Sequence, residues 1–144
     1  MRILVVLSLA LTPLFFGCNS QKHRERHMLF KDWYVVKPLA AGLGSVAYGT
    51  ITNEGISPQI LKQAAFGCAA SADLHETMEV AGRMRMQALP AITLAPGETT
   101  VFEPGHKHVM LGQLTVPAGE KCEAVLTFES GPVRFLVPVK ERKK

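Results

Sequence analysis

The chain is poor in cysteine, in aromatic residues and in charge of either sign, and it contains no apolar run long enough to cross a bilayer. It has three cysteines in 144 residues. Cys68 and Cys122 stand 54 positions apart, so there is no Cys-x-x-Cys pair and a thioredoxin-type exchanger is excluded. The uncharged apolar stretch 3–16 falls short of the roughly 20 residues that a membrane helix needs. The formal net charge of +4 is confined to the ends. Segment 29–139 holds eight basic and ten acidic residues, and the basic excess lies in Arg2, in 22–27 and in 140–144. A nucleic-acid binder gathers basic residues on a folded face, so that partner class is set aside. No paired carboxylates, Gly-x-Ser-x-Gly, phosphate loop or Cys–His nucleophile arrangement occurs, and no enzyme is expected. There is no internal repeat and no low-complexity segment.

What is present suits one domain. The chain is 47% hydrophobic and 19% charged, and at this length it can bury roughly two thirds of its unfolded surface. Met1-Arg2, an apolar run broken by Thr12-Pro13, and Phe15-Phe16-Gly17-Cys18 form an export signal over 1–17. The end of the signal resembles a bacterial lipobox, with cleavage before Cys18 and lipidation of Cys18. The alternative is an ordinary secretory signal with Cys18 incidental. Residues 18–28 follow as a polar tether, then a domain over 29–139 and a basic tail over 140–144. The expected location is the outer, periplasmic side of a bacterial membrane, held through a lipid anchor. Export implies an oxidising compartment. Cys68 and Cys122 then either form a disulfide or remain two small buried hydrophobes, since spacing alone does not bring them within bonding distance.

The body is strand-like. Short runs rich in Val, Ile, Thr, Phe and Tyr occur at 29–36, 45–52, 59–65, 73–79, 83–88, 99–103, 108–114, 121–128 and 132–139, with Gly, Pro and Asn turn signals between them. This pattern predicts an all-β antiparallel sandwich or barrel of seven to nine strands. The alternative is a mixed fold with a short helix at 63–72, where alanine is dense.

The chemistry-bearing residues cluster. His75, Met78, Met84, Met86, His106, His108 and Met110 fall within 36 residues. Each alone is ordinary: Met fills cores and an isolated His is usually solvated. Together they form a pattern. His108 and Met110 share one face of a strand. A turn at Glu79-Val80-Ala81-Gly82 with a pairing sum of 161 sets Met78 opposite Arg83 and His75 opposite Met86, with Cβ atoms about 5 Å apart, whereas a three-residue loop places His75 and Met86 on opposite faces. Two imidazoles and two thioethers are a soft, neutral set that selects Cu(I) over zinc, magnesium or calcium. Thioethers also suit an oxidising compartment because they form no disulfide. A blue-copper electron-transfer centre needs a Cys thiolate beside two His, and none lies near His108.

His75, ten residues, Met86, twenty-one residues, His108, one residue, Met110 resembles the pattern of the periplasmic copper chaperones of the PCuAC type, which assemble the copper-A site of cytochrome oxidase. The segments Leu74-His75-Glu76-Thr77-Met78, Met84-Arg85-Met86, Leu94-Ala95-Pro96-Gly97, and Pro104-Gly105 through Leu111 are similar to that family. So is the upstream segment Ala47 through Asn53. The resemblance covers about 29–139. It implies a cupredoxin-like, Greek-key β-barrel with an exposed site in which His75, Met86, His108 and Met110 bind Cu(I). It also implies delivery to a copper-A centre or a partner chaperone. Two features depart from it. Glu76 stands where many members carry Met, and His106 stands where a non-ligand is expected. His106 caps the site, replaces a ligand in the Cu(II) state, or faces solvent. The two cysteines lie outside the family pattern. His23, His27 and Met28 form either an accessory copper arm or a solvated linker.

The expected function is therefore an exported chaperone that holds Cu(I) and releases it by associative ligand exchange, acting as a monomer. Glu76, Glu79 and Glu103 are candidate rim charges. Binding weakens below about pH 6, where imidazoles protonate. The competing reading is a metal-free β-sandwich lipoprotein that docks a protein partner. It requires Met84, Met86 and Met110 in the core and His108 elsewhere.

Overall fold

Alternation of apolar and polar side chains governs the architecture. The computed structural model describes residues 27–40, 42–115 and 119–142. Among these, the chain forms ten strands: β1 (Met28–Val36), β2 (Ser45–Asn53), β3 (Gln59–Phe66), β4 (Ala69–Val80), β5 (Arg83–Ala88), β6 (Ile92–Leu94), β7 (Thr99–Phe102), β8 (Lys107–Leu114), β9 (Lys121–Phe128) and β10 (Gly131–Lys140). No helix occurs among the described residues. The helix considered at 63–72 is replaced by the end of β3, a turn at Gly67-Cys68 and the start of β4. Ala64 and Phe66 are buried while Ala65 and Gly67 are exposed, and that period of two is a strand's, not a helix's.

The strands follow the order β5-β4-β8-β7-β2-β1-β10-β9-β3-β6. Pairing is antiparallel except at β1–β10 and at one β7–β8 bridge. Strand β2 pairs with β8 through Ser45–Ala47 and with β7 through Gly49–Thr52. The two halves of the sheet enclose one core. Val35, Ala47, Ile51, Leu74, Val109 and Leu111 enter it from one half; Leu61, Phe66, Ala124, Leu126, Phe128 and Val137 enter from the other. The fold is all-β, as the period-two pattern predicts.

Two local features fix this packing. Trp33 lies over Gly49 so closely that a Cβ there would sit 2.3 Å from the indole. The indole Nε1 donates to the Thr50 carbonyl at 3.0 Å. Cys68 and Cys122 are bonded, with Cα atoms 5.6 Å apart, which ties the β3–β4 turn to β9. The alternative of two separate buried thiols is thereby settled.

Strand structure runs one residue beyond 29–139 at each end. Met28, assigned to the tether by sequence, opens β1 opposite Asn53 and packs on the core. Lys140, assigned to the tail, closes β10. His27 is exposed. The export signal 1–17, Cys18 and His23 lie outside the described residues.

Candidate metal centre

Strand β4 carries the site because it has a partner on both sides. β8 pairs along Ala69–Glu76 and β5 along His75–Val80. Residues directly opposite one another across an antiparallel pair share a face. His75 pairs with His108 on β8 and with Ala88 on β5. Asp73 pairs with Met110, and Thr77 with Met86. With alternation along each strand, the register puts His75, Met86, His108 and Met110 on one face of the sheet.

The hairpin register differs from the expected one. The β4–β5 turn is the two-residue loop Ala81-Gly82, both at positive φ (52° and 75°), and the pairing runs Val80 to Arg83, Met78 to Arg85 and His75 to Ala88. This is a type I′ hairpin, whose twist matches that of the strands. Met86 therefore lies diagonal to His75, about 7–8 Å away, rather than directly across. The slip is by two residues, so facing is preserved.

The two imidazoles meet edge to face, with ring centroids 5.9 Å apart and planes at 68°. His108 is 5% exposed. Its Nδ1 lies 3.0 Å from the His106 carbonyl oxygen. A carbonyl only accepts, so Nδ1 carries the proton and the Nε2 lone pair is free. Nδ1 of His75 is buried and has no hydrogen-bond partner among the described residues. An unpaired buried polar atom costs on the order of 1–3 kcal/mol, and a metal ion bound there would remove that cost. The donor set therefore fits a soft cation. In such a site His75 would supply the central nitrogen and His108 a second, and the register sets the thioethers of Met86 and Met110 on opposite diagonals of His75.

The sulfurs differ in setting. Met110 is partly buried, whereas Met86 on the edge strand β5 is 58% exposed. Met84 is 62% exposed. The competing reading required Met84, Met86 and Met110 in the core; Met84 and Met86 are exposed, and Met110 is partly buried.

The acidic residues separate by face. Glu76 points to the opposite face and binds Lys107 at 2.9 Å, so it is no rim charge. Glu79 pairs with Met84 on the ligand face, as Asp73 does with Met110. Arg83 and Arg85 pair with Val80 and Met78 on the other face. Negative charge thus shares the ligand face of the hairpin while its two arginines point away. The His106 ring is 69% exposed, with Nε2 3.9 Å from Glu103. Its contribution is a backbone carbonyl that orients His108. No sequence signal marks that role, since any residue has a carbonyl.

Comparison with known proteins agrees with this architecture. A family model described as "Putative lipoprotein LpqE-like" matches residues 29–139. "Putative lipoprotein Lxx21020" of Leifsonia xyli subsp. xyli is 36% identical over 124 residues, covering 83% of this chain and 73% of that protein. Among solved structures, the copper-bound PCuAC domain from PmoF2 superposes with a TM-score of 0.67 at 22% identity, covering 82% of this chain and 96% of that domain. The solution structure of CuI-DR1885 from Deinococcus radiodurans superposes at 0.61 with 25% identity, covering 85% and 83%.

Proposed function

The chain belongs to the LpqE-like lipoprotein family, and from that premise we propose that it is an exported, lipid-anchored copper chaperone. It holds one Cu(I) with His75, His108, Met86 and Met110 and passes it on. Cys18 bears the anchor, and the domain stands on the periplasmic side of the membrane. The recipient is the copper-A centre of cytochrome oxidase or a partner chaperone. The protein works as a monomer and performs no catalysis.

One observation carries this reading: a buried, unpartnered His75 nitrogen against a second imidazole whose Nε2 is free. Two structural neighbours lend support. One is a copper-bound domain and the other a Cu(I) form. Neutral nitrogen and thioether donors leave the ion its own single charge and suit Cu(I) better than harder ions. A partly exposed site lets an incoming sulfur or nitrogen bind before an existing ligand leaves. The metal then exchanges without unfolding, and no electron is transferred.

Anaerobic titration against a Cu(I) chelator, with X-ray absorption to count sulfur neighbours, tests the assignment. The expected result is one Cu(I) per chain with nitrogen and sulfur scattering, and loss of tight binding in the His75→Ala, Met110→Ala double variant. Undiminished affinity in that variant overturns it.

A further inference from the structure

We propose that Met84 is a transfer ligand: its sulfur forms, with Met86, the outer rungs of a thioether ladder along which Cu(I) passes to and from the His75–His108 centre. The proposal rests on the Cu(I) reading above and adds a residue to it.

The register carries the argument. Glu79 pairs with Met84 and Thr77 with Met86, so the two methionines lie on the same face as His75, each step closer to the barrel. Alternate residues of a strand are about 7 Å apart, close to the diagonal step from Met86 to His75. The ladder is therefore evenly spaced. Each gap is within reach of a flexible, unbranched side chain ligating a shared ion. β5 is an edge strand, and Met84 and Met86 are both more than half exposed, so a donor or acceptor can approach from the open side. Glu79 places negative charge opposite the first rung, and Arg83 and Arg85 point to the other face.

Each step balances simply. A Met84 sulfur lone pair forms a Cu–S bond as the bond to the departing ligand breaks, and that ligand keeps its own electron pair. Copper stays Cu(I) throughout, and no proton moves.

The same hairpin supplies its own control. Met78 is 39% exposed but pairs with Arg85 on the opposite face. A merely sticky hairpin would use Met78 and Met84 alike, whereas the ladder uses only Met84.

The test loads the full chain anaerobically with one equivalent of Cu(I) and follows transfer to bicinchoninate by stopped-flow absorbance. Met84→Leu keeps volume and removes sulfur. It is expected to leave equilibrium affinity within about twofold while slowing transfer about tenfold, equivalent to about 1.4 kcal/mol in the barrier. Met78→Leu is expected to match the unsubstituted protein. In spectra of methyl-labelled methionine, substoichiometric Cu(I) should broaden the Met84 signal and leave that of Met78 sharp. Unchanged transfer in Met84→Leu, or equal slowing in both variants, overturns the ladder while leaving the four-ligand centre standing. An unsubstituted chain that takes up no Cu(I) overturns both.

Discussion

The two ends of β4 follow different rules. At its start the strand is locked into the barrel. Cys68 is bonded to Cys122, the Cys68 carbonyl accepts from the Thr115 amide and hydroxyl, and Leu74 is buried. Past His75 the same strand leaves the core and runs out with β5 as an arm on which every β5 residue is exposed. His75 sits at the junction, with one ring nitrogen buried. The locked end supplies a fixed imidazole pair, and the free end supplies sulfur that can move. A carrier needs both, since a wholly rigid site would hold its ion and a wholly mobile one would not select it.

The largest test cuts the lock. The Cys68→Ser, Cys122→Ser double variant should lose about 4 kcal/mol by the chain-entropy model for a loop of this length, read by denaturant unfolding. Cu(I) stoichiometry in the folded variant should be unchanged, because neither sulfur is on the ligand face. Loss of binding without loss of stability would dissolve the distinction between the two ends.

Next comes the packing beneath the sheet. Gly49→Ala drives a Cβ into the Trp33 ring. Overpacking of this kind costs about 1–3 kcal/mol, visible as a lower melting temperature. Met86→Leu sharpens the contrast from the other side. On an exposed edge it should change stability by no more than about 0.5 kcal/mol. Yet removing one sulfur from the centre should weaken Cu(I) affinity about tenfold or more in competition titration, about 1.4 kcal/mol. A stability loss equal to that of Gly49→Ala would mean that the arm belongs to the core.

The locked half was largely legible in the sequence, and the arm less so. Strands such as β2 and β9 alternate strictly between buried and more exposed positions, so their period announces them. The Ala-rich 63–72 segment is ambiguous in composition but not in burial. β6 escaped because three residues between Pro90 and Pro96 are too few to show a period. The disulfide was undecidable because proximity across 54 residues is a property of the fold. The residue types of the centre stood out by spacing. The pairing did not, because it hangs on Ala81 adopting φ 52°, and alanine is not a residue that signals a left-handed turn. The Nδ1 of His108 and its carbonyl partner were invisible for a related reason, as backbone geometry leaves no mark on residue identity.

That same turn yields the smallest test. Type I′ loops favour Asn-Gly because both central residues need positive φ, and Ala81 meets the requirement with a Cβ that resists it. Ala81→Asn should therefore stabilise the hairpin by about 0.5–1 kcal/mol. The arm opens more readily than the barrel, so the gain should appear locally rather than in global unfolding. Amide exchange at the hydrogen-bonded pairs Val80–Arg83 and Met78–Arg85 should slow by about two- to fivefold, with the melting temperature nearly fixed. If stability instead rises globally by the full amount, the arm and the barrel unfold as one unit. The mobility assigned to the sulfur-bearing end would then have to come from side chains alone.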